Sequence, residues 1–141
     1  DVLSCGYNDN GQLGRETEDD YSASFQKIED LSEITRIECG YHHSMCIDNN
    51  GNLYVFGSND YGQLGFYIFD TDKPIKHPSL SNIIDISSKG DHVFVKTTSN
   101  GIYAFGRCDY PQLGIETEDD KQLNPIQVLQ GYEDIWCSNI N

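Results

Sequence analysis

Short apolar runs alternate with polar, turn-forming segments along the whole chain. Three of these runs, Val2–Cys5, Tyr54–Phe56 and Tyr103–Phe105, each end at a glycine and lead into a polar segment that contains Asn or Asp. Such a pattern is typical of a β-strand that ends in a tight reversal. The glycines give the backbone room for close approach or for a positive φ, and they are Gly6, Gly57 and Gly106.

A second pattern of extended segments recurs between these runs. Ile34–Ser44 matches Ile83–Val93, and each segment leads through an alternating strand to an Asn-Gly pair, at Asn50–Gly51 and Asn100–Gly101. An Asn-Gly pair between two β-prone runs is the strongest short-range signal of a hairpin. A variable connector then precedes one more extended run, at Ser24–Ile28, Pro74–Lys76 and Pro125–Val128.

The fragment Gly-Gln-Leu-Gly sets the period of this pattern. It occurs at Gly11–Gly14 and Gly62–Gly65, and a degraded copy occupies Pro111–Gly114, so the copies start 51 and 49 residues apart. Four short strands in about 50 residues are the content of one propeller blade. We therefore predict an all-β fold of about three four-stranded antiparallel blades. The approximate repeats are 1–52, 53–101 and 102–141.

The assembled pattern resembles the RCC1 (regulator of chromosome condensation) repeat. It reads strand-Gly-x-Asn-x-x-Gly-Gln-Leu-Gly, an acidic connector, Ile-x-x-Ile-x-Cys-Gly-x-x-His-Ser, and Asn-Gly-x-Leu-Tyr-x-x-Gly, over nearly all 141 residues. Cys108 and Pro111 depart from this pattern, and Lys89 and Ser138 replace the glycine found at Gly40, so we expect altered turns there. The resemblance implies a structural role for Gly6, Gly11, Gly14, Gly57, Gly62, Gly65, Gly106, Gly114, His43 and His92.

The resemblance also implies the size of the complete fold. Members of this family close a ring of about seven blades, so 141 residues supply less than half of one. We expect the chain to be a fragment of a longer propeller, with the remaining blades in the same chain or in another copy.

The net charge of the chain indicates which classes of partner it can bind. The chain has 23 acidic and 9 basic residues and a formal net charge of −14. Nucleic-acid binding needs Lys and Arg against the phosphates, so we predict none directly; the acidity favours a basic partner or serves solubility alone. Five cysteines without a Cys-x-x-Cys pair favour a reducing compartment, so we expect an intracellular protein, cytoplasmic or nuclear. The sequence lacks the apolar run of about 18 residues that a membrane span requires.

Two groups of side chains are of types that bind metals. The acidic segments Glu16–Asp20 and Glu116–Asp120 have identical sequences, but they lack the spacing of a calcium loop, so we interpret them as solvated connectors. The other group fits no zinc spacing, and its histidine at 43 is explained by the repeat. Its members are Cys39, His42, His43 and Cys46.

The sequence offers no nucleophile with a positioned base. Ser44 follows His43 directly, and neighbouring residues on a strand point to opposite faces. The glycine-rich segments lack the lysine and helix of a phosphate-binding loop. We therefore predict no catalytic, cofactor-binding or metal-binding residues and no cofactor; the sequence leaves an enzymatic activity undecided and favours a protein that is not an enzyme.

Aromatic residues are the best remaining signal of a binding site. Tyr61 and Tyr110 occupy equivalent turn positions, where tyrosine serves either a partner interface or packing between blades. In the middle connector, aromatic residues replace the acidic ones, so that connector either packs as an extra strand or presents an apolar patch. Its candidate residues for interaction are Phe66, Tyr67 and Phe69.

These observations favour a protein–protein interaction scaffold that is part of a larger regulatory protein. The resemblance implies an alternative, guanine-nucleotide exchange on a small GTPase of the Ran or Rho type. The exchange residues of the family lie outside the repeat motif, so none is assigned here. The net charge weakens a third role that the family is known for, binding to chromatin.

Overall fold

The computed structural model describes residues 1–137, which form ten β-strands in three antiparallel sheets. The strands are β1 (Leu3–Tyr7), β2 (Tyr21–Lys27), β3 (Ile34–Cys39), β4 (His43–Asp48), β5 (Leu53–Gly57), β6 (Thr71–Lys76), β7 (Ile83–Lys89), β8 (His92–Thr97), β9 (Gly101–Arg107) and β10 (Lys121–Gln130). One 3-10 helix of three residues, Pro111–Leu113, lies between β9 and β10. Within this part of the chain, no helix is long and apolar enough to cross a membrane.

Two of the three sheets are complete four-stranded meanders. Their strand orders are β3-β4-β5-β6 and β7-β8-β9-β10, so each strand pairs with its neighbours in the sequence. The third sheet contains only β1 and β2, which match β5 and β6 in the repeat. The predicted all-β fold of four-stranded antiparallel blades is confirmed.

The core lies mainly between the two four-stranded sheets. β4 and β5 contribute Met45 and Val55 from one side, and β8 and β9 contribute Val95 and Phe105 from the other; all four are fully buried. Each such side chain contributes roughly 1.5–3 kcal/mol when it leaves water. A single blade could not cover its own apolar face, so the blades stabilise one another by stacking.

The meander places its connections alternately at two ends of the sheets. We call one end the loop face; it carries the loops 8–20, 58–70 and 108–120 and the short turns 40–42 and 90–91. The opposite face carries the connections 28–33, 49–52, 77–82 and 98–100. All three long loops and all three Gln-Leu-Gly turns therefore lie on the loop face.

The last described residues run beside the second complete sheet without forming a strand. The backbone N–H of Cys137 donates to Ser87 Oγ at 2.8 Å, which places this segment next to β7. Ser138, one of the predicted departures from the repeat, lies outside the described residues. The complete sheets span 34–76 and 83–130, so the first two sequence repeats each begin inside one sheet and continue into the next.

Candidate functional site

The Gly-Gln-Leu-Gly turns are held by one glutamine and one asparagine. In the first turn, the Gln12 side chain accepts from the backbone N–H of Asn10 at 2.9 Å and donates to Asp9 at 2.9 Å. The Asn8 side chain accepts from the backbone N–H of Leu13 at 2.9 Å and donates across the loop. These bonds satisfy the polar groups of the turn, and the side chain of Leu13 is buried beneath it.

The third turn is built differently, as its sequence predicts. Pro111 begins the 3-10 helix, and Cys108 takes the position of the asparagine. The thiol makes one weak bond, to the carbonyl of Asp119 at 3.4 Å, where the amide of an asparagine makes several. Gln112 keeps its role and accepts from the N–H of Tyr110 at 2.8 Å.

The first glycine of each intact turn lies directly against the neighbouring sheet. A Cβ added to Gly11 would lie 2.6 Å from the Cα of Asp72, and one added to Gly62 would lie 3.0 Å from the Cα of Leu123. Asp72 is in β6 and Leu123 is in β10, the fourth strand of the next sheet in each case. The repeated turn is therefore a contact between blades, which explains why it recurs once per blade.

The repeated histidine also connects two blades. His43 in β4 is buried, and its Nε2 lies 2.9 Å from the Oγ of Ser88 in β7. Burial lowers the pKa of His43 to about 3, so the ring is neutral near pH 7. His92 is buried in the corresponding position of β8, and burial lowers its pKa as well. These histidines lie within the blades, away from the solvent-exposed part of the loop face.

The middle connector contains an aromatic loop, Phe66–Phe69, whose side chains alternate between core and solvent. Phe66 packs against the main core, with its ring edge-on to His77 at a centroid distance of 5.2 Å, and Ile68 packs there too. Tyr67 and Phe69 point outward, with exposed fractions of 84% and 85%. The connector thus forms no extra strand, and half of its bulky side chains form an exposed apolar patch.

Asn59 holds the aromatic loop in this arrangement. Its Nδ2 donates to the carbonyl of Phe66 at 3.0 Å and to that of Ile68 at 2.8 Å. Its Oδ1 accepts from the N–H of Leu64 at 2.9 Å, and its own N–H donates to Asp70 at 2.8 Å. The backbone beneath the two exposed rings is therefore fixed before any partner arrives.

The two tyrosines at equivalent turn positions have different surroundings. Tyr61 is half-buried and stacks on Arg107 at the end of β9, with the guanidinium carbon 4.7 Å from the ring centroid. That contact joins two neighbouring blades, and Arg107 also donates to Asp109 at 2.9 Å. Tyr110 is 60% exposed, and within residues 1–137 no cation stacks on it. The structure thus places Tyr61 in blade packing and Tyr110 at the surface.

Acidic loops lie on both sides of the aromatic loop. On one side, Lys73 at the start of β6 pairs with Glu16 of the first loop at 3.6 Å. On the other side, Lys121 at the start of β10 donates to the backbone carbonyl of Asp60 at 3.3 Å. The first acidic loop therefore contacts β6, the strand after the aromatic loop, and the residue after the last acidic loop contacts the loop that carries Tyr67 and Phe69.

The side chains considered as metal ligands or as a nucleophile can be placed in the part of the chain that the structure describes. Within residues 1–137, no three His, Cys, Asp or Glu side chains converge closely enough to hold a metal ion. Ser44 donates to the carbonyl of Gln12 at 2.8 Å, in a contact with the first turn and not with a histidine. All five cysteines are free thiols.

Two features of this surface escape sequence reasoning. The alternation of Phe66 and Ile68 inward with Tyr67 and Phe69 outward lies in a loop, where no strand fixes the parity. The one sequence signal for the shape of this loop is Asn59, because the repeat has an asparagine at the position whose side chain closes the loop. The second feature is the stacking of Arg107 on a residue 46 positions earlier, for which the sequence gives no local sign.

Comparison with known proteins identifies the family. The model of the regulator of chromosome condensation (RCC1) repeat matches residues 1–47 and 50–95, and a second RCC1 repeat model matches residues 34–63. Human protein RCC2 is 43% identical over 65 residues, which are 45% of this chain and 12% of RCC2. The chain therefore spans about an eighth of that relative.

Solved structures share the fold over most of the chain. Human WBSCR16 aligns over 89% of this chain and 34% of its own, with 27% identity and a TM-score of 0.78. Prp20p from Saccharomyces cerevisiae aligns over 91% of this chain and 34% of its own, with 20% identity and a TM-score of 0.81. With its repeated turns, stacked blades and matching family models, the chain belongs to the RCC1 repeat family.

Proposed function

We propose that this protein is a protein–protein interaction scaffold and that the aromatic loop on its loop face is the main contact for the partner. One observation carries this proposal. Tyr67 and Phe69 are almost fully exposed, although the backbone that presents them is hydrogen-bonded to Asn59 and anchored in the core by Phe66 and Ile68. An apolar pair that is fixed and solvent-exposed is typical of an interface and costly to a surface with no partner.

The arrangement favours tight binding for a physical reason. Aromatic side chains bury about 150–250 Å² each and are enriched among the residues that dominate interface energies. Ordering a mobile loop on binding costs free energy, and a loop that is already fixed avoids most of that cost. Tyr67 and Phe69 need only restrict their own rotamers when they meet a partner.

A double substitution tests the proposal in the full chain. Tyr67→Ser with Phe69→Ser should lower affinity for the partner about 30- to 900-fold, because each ring is expected to contribute roughly 1–2 kcal/mol. The matched control, Leu129→Ser with Tyr132→Ser, removes two exposed apolar side chains away from the loop face. Affinity purification followed by quantitative mass spectrometry compares the proteins that each form retains.

The outcome is decisive when both variants keep the wild-type melting temperature. Loss of retained proteins in the loop-face variant alone supports the scaffold. Equal retention by wild type and both variants contradicts it.

Guanine-nucleotide exchange on a small GTPase is the second candidate. Family membership motivates it, and Prp20p, which shares the fold, has been studied for binding to Gsp1p and histones. Release of labelled nucleotide from purified Ran-like and Rho-like GTPases, measured with the full chain, tests this activity. An unchanged release rate rejects exchange and leaves the scaffold proposal standing.

A further inference from the structure

We infer that the partner of the loop face presents a segment rich in Lys and Arg, with at least one apolar side chain to meet the aromatic loop. This inference rests on the proposed scaffold function and specifies the chemistry of its partner. Three observations support it: acidic residues are concentrated on the loop face, the acidic loops lie on either side of the aromatic loop, and the nearby arginines already form hydrogen bonds within the protein.

Acidic residues are concentrated on one face. The connections of the loop face, the three long loops and two short turns, contain thirteen of the 23 Asp and Glu residues and a single basic residue, Arg15. Most of the net charge of −14 therefore comes from this face. A surface of one sign attracts partners of the opposite sign and raises their rate of association.

The two acidic loops lie on either side of the loop that carries the aromatic residues. The first acidic loop reaches β6 through the pair of Lys73 with Glu16, and Gly11 packs against the backbone of Asp72. Lys121, which directly follows the last acidic loop, contacts Asp60 within the middle loop. A partner that covers Tyr67 and Phe69 therefore lies between two acidic loops.

Basic side chains at the borders of this surface are already engaged within the protein. Arg15 donates to Ser4 at 3.0 Å, and Arg107 donates to Asp109 while it stacks on Tyr61. Three glutamates of the acidic loops are exposed and form no ion pair with any residue in the range 1–137. These glutamates are Glu18, Glu116 and Glu118. Their charge is available to a basic partner.

Defined peptides and two triple variants of the full chain test the inference. The probes are a twelve-residue peptide in which Lys and Arg alternate with Leu and Ser, and the same peptide with Glu in place of Lys and Arg. The first variant neutralises the loop face: Glu18→Gln, Glu116→Gln and Glu118→Gln. The second makes the same charge change away from it: Glu29→Gln, Asp30→Asn and Asp134→Asn.

Fluorescence anisotropy at 0.15 M salt, where charges more than about 8 Å apart are largely screened, should show binding of the basic peptide only. The triple Glu→Gln variant should bind the basic peptide about tenfold more weakly, since each exposed ion pair contributes roughly 0.2–1 kcal/mol. The second variant should change the affinity less than twofold.

The outcomes separate this inference from the proposed function. Absence of binding by the basic peptide, preference for the acidic peptide, or equal loss in both triple variants overturns the inference. If only Tyr67→Ser with Phe69→Ser weakens peptide binding, the loop face is an interface but its partner is not selected by charge. If neither the triple Glu→Gln variant nor Tyr67→Ser with Phe69→Ser weakens binding, both the inference and the proposed function are wrong.

Discussion

Replacing Gly11 with alanine tests whether the repeated turn is a contact between blades. Gly11 has a φ of +79°, and an added Cβ would lie 2.6 Å from the Cα of Asp72 and 2.7 Å from the carbonyl oxygen of Thr71. These are backbone atoms of a paired strand, so they cannot rotate away as a flexible side chain would. Gly90 is the matched control, because its φ is +60° and the nearest atom to its added Cβ is 3.5 Å away.

Both substitutions place alanine at a positive φ, but only Gly11→Ala also forces a Cβ into the neighbouring strand. Alanine at a positive φ costs about 1–2 kcal/mol, and about 0.4–1 kcal/mol of this is offset by the reduced entropy of the unfolded chain. Gly90→Ala should therefore destabilise the protein by less than about 1.5 kcal/mol. Gly11→Ala brings atoms about 1 Å closer than normal contact, and overpacking of this kind adds roughly 1–3 kcal/mol.

Urea denaturation followed by far-UV circular dichroism measures the free energy of unfolding of both variants. We expect Gly11→Ala to lose about 2 kcal/mol more than Gly90→Ala, with similar dependence on denaturant. Faster amide exchange in β6 should accompany the loss, because β6 is the strand that must move. A loss at Gly11 no larger than that at Gly90 would refute the interpretation of the turn.

Two other predictions concern the aromatic loop and the buried histidines. Phe66→Ser should lower the free energy of unfolding by roughly 2 kcal/mol because Phe66 packs on the core, whereas Phe69→Ser should change it by less than about 0.5 kcal/mol; equal melting temperatures would contradict this. Because burial holds the pKa of His43 near 3, the unfolded chain takes up the proton first as the pH falls below about 6.5. Stability should fall by about 1.4 kcal/mol between pH 7.5 and 5.5 from His43 alone; His43→Gln should reduce this dependence in pH-dependent unfolding, and an unchanged dependence in that variant would contradict the reasoning.

The periodic part of this fold is predictable from the sequence. The strand that ends at Gly57, the hairpin at Asn50–Gly51 and the plug at Leu64 each depend on local backbone preferences, and the structure contains all three. The replacement of glycine by Pro111 likewise predicts the altered third turn, since proline cannot adopt a positive φ. Repetition strengthens these predictions, because each appears at least twice at the same spacing.

The binding surface is less predictable because it depends on contacts between distant residues. The sequence identifies Phe66, Tyr67 and Phe69 as unusual, but the hydrogen bonds from Asn59 and the packing of Phe66 on the core determine which of them face solvent. Tyr61 and its counterpart in the third turn have the same local sequence position. They differ because Arg107 of the next blade stacks on Tyr61 alone among the described residues.

The concentration of charge on one face is a consequence of topology. In the sequence, the identical acidic segments lie 100 residues apart and read as separate solvated connectors. The meander brings them to the same end of the first and third sheets, and the loop of the middle sheet between them carries the aromatic residues. Two solvated segments thereby become the borders of one surface.

Site-specific photo-crosslinking tests the central claim most directly, namely that the loop face binds the partner through its aromatic loop. A photoreactive phenylalanine analogue would replace Tyr67 in the full chain expressed in cells, and a second form would carry it at Asn50, which is exposed on the opposite face. We predict a discrete crosslinked protein from position 67 and none from position 50. Crosslinking from position 50 alone, or the same product from both positions, would contradict the account.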